Sequence, residues 1–156
     1  MNNHLTLLDY PIDLKQALIE AEQARNTSKP YVDPRWPGKP LPIWTITRID
    51  HNQFAQQIID DFGIGGKPRF YFLKPNSILP EHTDNGTTCS INFVLSNQLA
   101  PVTVEGTDYI YKQALLNTSL RHSVTNGPIE RILLKISIFN EPYEKLIHHI
   151  KYKLKC

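Results

Sequence analysis

The chain of 156 residues has only two cysteines and a single methionine. Cys89 falls within a run of strand-forming residues and Cys156 is the last residue, so a disulfide framework is not expected and a cytoplasmic setting fits the cysteine use. Long apolar runs are missing too: nothing approaches the ~18 residues of a membrane span. The first residues, Met1-Asn2-Asn3-His4, lack the charged-then-apolar start of a secretory signal. Nor is there an excess of one charge. Seventeen Lys and Arg against fifteen Asp and Glu leave a formal net charge of +2, too mild to imply nucleic acid. Lys145, Lys151, Lys153 and Lys155 make a local basic tail that reads as a solvated helix face. No Gly-x-Ser-x-Gly, phosphate-cradling glycine loop, His-Glu-x-x-His or Cys-x-x-Cys occurs, so several common catalytic and cofactor signatures are excluded.

What is present has the composition of one globular domain, 40% hydrophobic and 21% charged. A first helix is marked by Asp13 with Gln16 three residues on, followed by an apolar stripe of Leu14, Ala17, Leu18 and Ala21 that fades near Arg25-Asn26. Residues 30–42 then hold five of the twelve prolines, together with Trp36. Such a stretch reads as extended surface chain, a packed connector or the rim of a substrate site, with Trp36 and Trp44 as candidate pocket walls. A second helix is expected from Asp50 and Gln53 as a capping pair, with Phe54, Ala55, Ile58, Ile59 and Phe62 on one side and Gly63 closing it.

Beyond Gly65-Gly66 the pattern changes to short β-branched and aromatic runs at 69–73, 87–95, 102–104, 109–111, 114–117 and 131–139, separated by turn residues. Strands so short and so spaced predict a sandwich or jelly roll rather than a parallel α/β sheet. A last amphipathic helix is expected from about Pro142, with Leu146, Ile147, Ile150 and Leu154 inward. The expected outline is one domain over 1–156: a helical and Pro-rich N-terminal region over 1–66, a β core over 67–140 and a C-terminal helix over 141–156.

The chemistry concentrates at Pro80-Glu81-His82-Thr83-Asp84. Six histidines in a chain of this composition produce about 0.3 His-x-Asp pairs by chance, so the pair alone is weak. Its setting strengthens it. It sits at a turn between two expected strands, beside Asn85-Gly86, and alternation along a strand end would point His82 and Asp84 the same way. A second histidine, His122, follows forty residues on, just ahead of the expected strand that begins near Arg131. Two imidazoles and one carboxylate cap one face of an octahedral Fe(II) and leave the opposite face open. Arg131, nine residues past His122, could grip a dicarboxylate by a bidentate ion pair. The adjacent His148-His149 pair diverges by about 100° on a helix and reads as an exposed basic face.

With these residues in this order, the stretch from about 70 to 139 resembles the Fe(II)- and 2-oxoglutarate-dependent oxygenase superfamily, and within it the aspartyl/asparaginyl β-hydroxylase-like and prolyl-hydroxylase-like branches. The segments that carry the likeness are Phe-Tyr-Phe-Leu-Lys-Pro-Asn-Ser-Ile-Leu-Pro-Glu-His-Thr-Asp, Cys-Ser-Ile-Asn-Phe-Val-Leu, His-Ser-Val-Thr-Asn and Glu-Arg-Ile-Leu-Leu-Lys-Ile-Ser-Ile. The resemblance implies a mainly β fold with flanking helices, a double-stranded β-helix (a jelly roll, cupin-like). It implies His82, Asp84 and His122 as iron ligands and Arg131 as the grip on the distal carboxylate of 2-oxoglutarate. It implies a supporting hydroxyl from Tyr71, a contact from Asn92 to the co-substrate's other end, and a structural role for Asn126. Two positions depart from the β-hydroxylase branch, which commonly has Gly in place of Asp84 and Arg in place of Asn92.

The activity so implied is a dioxygenase that couples decarboxylation of 2-oxoglutarate to hydroxylation of a peptide side chain or small metabolite by O₂. The absence of a catalytic acid–base dyad agrees with that. Two other classes stay open at this point: a non-oxygenase metal-binding jelly roll acting as a sensor or small-ligand binder, and an interaction domain whose histidines are incidental. No nucleic-acid or membrane partner is expected, and oligomeric state is not legible.

Overall fold

A computed structural model of the protein describes residues 2–31, 41–47, 52–97 and 100–154, with backbone alone for 41–44. In chain order the elements are β1 (Leu5–Leu7), α1 (Leu14–Arg25), β2 (Lys29–Tyr31), β3 (Leu41–Ile46), α2 (Gln53–Phe62), β4 (Lys67–Leu73), β5 (Ile78–His82) and β6 (Cys89–Val94). There follow β7 (Val102–Val104), β8 (Thr107–Tyr109), β9 (Gln113–Leu116), β10 (His122–Thr125), β11 (Arg131–Ile138) and α3 (Tyr143–His149). A seven-stranded sheet runs β1-β9-β6-β11-β4-β3-β2 and a four-stranded sheet runs β5-β10-β7-β8. Every strand pair is antiparallel. The mixture of two antiparallel sheets with flanking helices resembles double-stranded β-helix folds. No helix among the described residues is long and apolar enough to cross a membrane.

Strand β11 shows how one sequence serves two environments. Its even-numbered residues Ile132, Leu134, Ile136 and Ile138 are buried with α1, α2 and α3 on one face of the large sheet, in a cluster that includes Ala17, Ala21, Ile58, Phe62, Phe70, Phe93 and Leu146. Each fully buried aliphatic side chain there stabilises the fold by roughly 1.5–3 kcal/mol. Odd-numbered Leu133 instead packs with Tyr71, Leu73 and Val94 against Leu79, Val102, Val104 and Val124 of the small sheet. Arg131, Lys135 and Ser137, at two-residue steps from Leu133, line the pocket on that second face.

Both long helices start on a side-chain cap. Asp13 Oδ1 accepts from the Gln16 N–H at 3.0 Å, as the sequence leads one to expect. The cap of α2 is Asn52, whose Oδ1 accepts from the Ala55 N–H at 2.7 Å. Asp50, the residue expected to cap it, lies outside the described residues. Gly63 ends α2 in the left-handed region (φ 66°), which only glycine adopts without cost. Gly66 has a different reason: a Cβ there would lie 2.5 Å from Ile136 Cγ2.

Several strand expectations need correction. Strands β1, β2, β3, β5 and β10 were not expected, and the run at 109–111 contributes only Tyr109, at the end of β8. The Pro-rich stretch is not all connector. Its two ends form β2 and β3, with Pro30 on the edge strand, where a missing N–H is tolerated. Trp36 lies outside the described residues, and Trp44 is described only as a backbone position opposite Leu73. At the C-terminus Leu146, Ile147 and Ile150 are buried as expected, whereas Leu154, beyond α3, is 44% exposed.

Candidate metal centre

Strands β5 and β10 pair with His82 directly opposite His122, so two residues forty positions apart stand side by side. His122 stands ahead of β11, as expected, but on a strand of its own that was not expected. It opens β10, and the ladder is irregular just after it, between His122 and Val124. Asp84 lies two residues past β5, where its backbone N–H donates to the Thr118 carbonyl at 3.1 Å. Asp84 Oδ1 is 3.4 Å from His82 Nε2 and 3.1 Å from His122 Nε2. The three donor atoms all lie within 4.8 Å of one another.

The other ring nitrogens show what these donors are ready for. His82 Nδ1 is 2.6 Å from the Pro80 carbonyl and His122 Nδ1 is 2.8 Å from the Leu120 carbonyl. A carbonyl only accepts, so each Nδ1 carries a proton and each Nε2 is the nitrogen turned toward Asp84. Two imidazole nitrogens and a carboxylate oxygen facing one another are held together by a cation between them: a proton on an imidazole, or a metal. Backbone carbonyls holding the distal nitrogens are the usual outer support of metal-bound histidines. The donor set, two imidazoles and one carboxylate, suits Fe(II) and leaves coordination positions for other ligands.

Lys135 was not anticipated. Its Nζ donates to Asp84 Oδ2 at 2.6 Å, with both side chains less than 15% exposed. Burial alone would raise the Asp84 carboxyl. The Lys135 charge and the contacts with His122 and His82 outweigh it and hold the group far below the usual carboxylate range. For Lys135, burial favours the neutral amine, but the Asp84 charge more than offsets this and the ammonium is held above its ordinary value. The signal was present in the sequence: a lysine, the one charged residue in the run Ile-Leu-Leu-Lys-Ile-Ser-Ile, an even number of residues from Arg131 and therefore on the same face.

The triad opens onto a pocket of about 230 Å³ between the two sheets. Arg131 lines it and is 2% exposed, with Nη1 donating to the Ala100 carbonyl at 2.9 Å and the guanidinium 5.9 Å from the Tyr111 ring centroid. No carboxylate pairs with it among the described residues. Tyr71 also lines the pocket, its ring 5.5 Å from Lys135 Nζ. Asn92 lines it too, but its amide is engaged: Nδ2 donates to the Tyr111 hydroxyl at 3.1 Å and Oδ1 accepts from Ser90 Oγ at 2.9 Å. Sequence reasoning thus brought together His82, Asp84, His122, Arg131, Tyr71 and Asn92, and missed Lys135, Arg69 and Tyr111. Asn126, outside the pocket, has a structural place, its buried Nδ2 donating to the carbonyls of Leu73, Lys74 and Ile129.

No protein-family model matches the sequence, and no curated protein does. Among solved structures the fold is similar to that of a Pseudomonas putida prolyl-4-hydroxylase, with a TM-score of 0.64 and 15% identity over 88% of this chain and 91% of that one. An oxidoreductase of the 2OG-Fe(II) oxygenase family from Burkholderia pseudomallei aligns at TM-score 0.48 and 16% identity, over 78% and 75% of the two chains. A salicylate 1,2-dioxygenase from Pseudaminobacter salicylatoxidans aligns at 0.47 and 12%, over 80% of this chain and 32% of the other. At such identities the likeness concerns the fold, and the first of the three carries it. On a fold of that kind this chain carries a His-x-Asp and distal His triad.

Proposed function

We propose that the protein is an Fe(II)- and 2-oxoglutarate-dependent dioxygenase that hydroxylates a peptide side chain or a small metabolite. We read 1–156 as one domain and the two-sheet sandwich as a double-stranded β-helix. The observation that carries the reading is Arg131: a buried guanidinium without a carboxylate partner among the described residues, in the same pocket as the triad. A buried charge is stable only when compensated, so the pocket calls for an anion at that end and a metal at the other. A 2-oxo dicarboxylate is both an anion and a metal chelator.

In this reading His82, Asp84 and His122 hold the iron, and the Pro80 and Leu120 carbonyls keep both Nε2 atoms pointed at it. Arg131 binds the distal carboxylate. Tyr71 stands beside it as a wall and hydroxyl donor. Asn92 acts by holding the Tyr111 hydroxyl in place at 3.1 Å. When bound, Fe(II) with 2-oxoglutarate and O₂ supplies the oxidant: one oxygen atom enters the substrate C–H bond as a hydroxyl, the other enters succinate, and CO₂ leaves. The apolar walls formed by Leu79, Val102, Val124 and Leu133 exclude water around the reacting groups.

The test is anaerobic titration of Fe(II)-loaded protein with 2-oxoglutarate, followed by its weak visible charge-transfer band. A saturable band that His82→Ala abolishes is the expected result. Neither band nor succinate formation in the wild type would sink the reading.

A further inference from the structure

We infer that the substrate itself is a carboxylic acid, and that Arg69 is the residue that recognises its carboxylate. This deepens the hydroxylase reading and rests on it.

The inference starts from register. Arg69 on β4, Lys135 on β11 and Asn92 on β6 lie opposite one another, forming one polar row across the inner face of the large sheet. Lys135 in that row touches the triad through Asp84. Arg131 lies four residues from Lys135 along β11, about 13 Å at ~3.3 Å per residue. The two arginines therefore rise from different levels of the pocket, and a co-substrate held by Arg131 leaves Arg69 unmet.

Arg69 lines the pocket, and its Nε is buried without a hydrogen-bond partner among the described residues. Buried N–H groups are rarely left so, because the lost hydration is not recovered. Here the missing acceptor is the feature that points to a ligand.

Charge points the same way. Asp84 is the one acidic side chain among the described residues lining the pocket, against Arg69, Arg131 and Lys135. A divalent metal, Asp84, Arg131 and a dicarboxylate cancel one another. Lys135 and Arg69 then remain as two positive charges in excess. Lys135 already has a hydrogen-bond acceptor in Asp84 Oδ2, whereas Arg69 Nε has none among the described residues, so Arg69 is the cation placed for a further anion. Ser137, Asn85 and the 40%-exposed Phe139 line the same pocket, offering polar and apolar contacts to the rest of an acid. Guanidinium and carboxylate pair through two parallel hydrogen bonds, which makes a carboxylate the natural occupant.

Calorimetry on the Mn(II)-loaded protein saturated with 2-oxoglutarate tests this without turnover. The probes are N-acetylaspartate and N-acetylglutamate, their side-chain amides, and acetylated tripeptide amides with a central Asp or Glu. The acids are expected to bind at least about tenfold more tightly than the amides. Preference for the free derivatives marks a metabolite and preference for the tripeptides marks a protein side chain. Arg69→Gln should abolish the acid preference while 2-oxoglutarate affinity stays within about twofold, and Arg69→Lys should keep some of it. The inference is overturned if wild type binds no acid in preference to its amide, a result that needs no variant. It is overturned equally if the preference survives Arg69→Gln, or if that change weakens 2-oxoglutarate binding about tenfold, making Arg69 a member of the co-substrate site. Failure of 2-oxoglutarate itself to bind the Mn(II) protein would instead remove the hydroxylase reading.

Discussion

Lys135 and Asp84 form a 2.6 Å ion pair in which the two carboxylate oxygens face different ways. Oδ2 takes the ammonium, and Oδ1 faces the two imidazoles. The lysine thus leaves Asp84 a single oxygen for a metal and ties the loop after β5 to the middle of β11. Breaking the pair by Asp84→Asn strands a buried ammonium, a loss of about 3–5 kcal/mol. In Asp84→Asn/Lys135→Met the stranded charge is gone, and most of that stability should return. Urea denaturation of the metal-free proteins measures both, and losses that simply add would contradict the coupling.

The same pair sets a pH window. Asp84 is held below its ordinary value of 3.8, so its contribution is complete above about pH 4 and is lost as pH falls. Lys135 is held above its ordinary 10.5, so its contribution is complete below that value and is lost as pH rises through the raised one. Metal-free protein should therefore lose stability steeply below about pH 4. The double variant should show a shallower acid limb in denaturation curves taken from about pH 3 to about pH 7.

Arg131→Leu separates the two halves of the site. Removing a charge-assisted contact costs about 1.5–3 kcal/mol, so 2-oxoglutarate affinity should fall about 10- to 100-fold while metal affinity is retained. Because Arg131 has no carboxylate partner among the described residues, the metal-free protein should not become less stable to heat. Calorimetry with Mn(II), then with 2-oxoglutarate, reads both affinities. Loss of the metal together with the co-substrate would argue against the division of roles.

Neighbouring glycines provide a control on packing. Gly66→Ala places a Cβ 2.5 Å from Cγ2 of fully buried Ile136 and should cost about 1–3 kcal/mol. Gly65→Ala meets nothing within 4 Å and should fall within about 0.5 kcal/mol of wild type. Thermal melts of the two variants distinguish them directly.

How much of this was legible beforehand depended on whether the signal was local. The α1 cap, the apolar face of α2 and the alternation along β11 are written in residues three or four apart, or two apart, and are found, whereas of the expected α1 stripe Ala17 and Ala21 are buried and Leu14 is 48% exposed. Strands β1, β2 and β10 have three or four residues, too few for a period, and exist because a neighbouring strand supplies hydrogen bonds. The triad was legible as an order of residue types. Its geometry was not, because it depends on the β5–β10 register that sets His122 against His82.

By itself the sequence determined the order of His82, Asp84 and His122 and the even spacing that sends Arg131 and Lys135 to one face. Tertiary structure alone decided that Lys135 meets Asp84 across 51 positions, that the described residues lining the pocket hold one acid against three cations, and that Arg69 shares its row with no acceptor for its buried Nε among the described residues. The physical reason is that residue type and alternation are properties of a single strand, whereas compensation of a buried charge depends on which strands become neighbours.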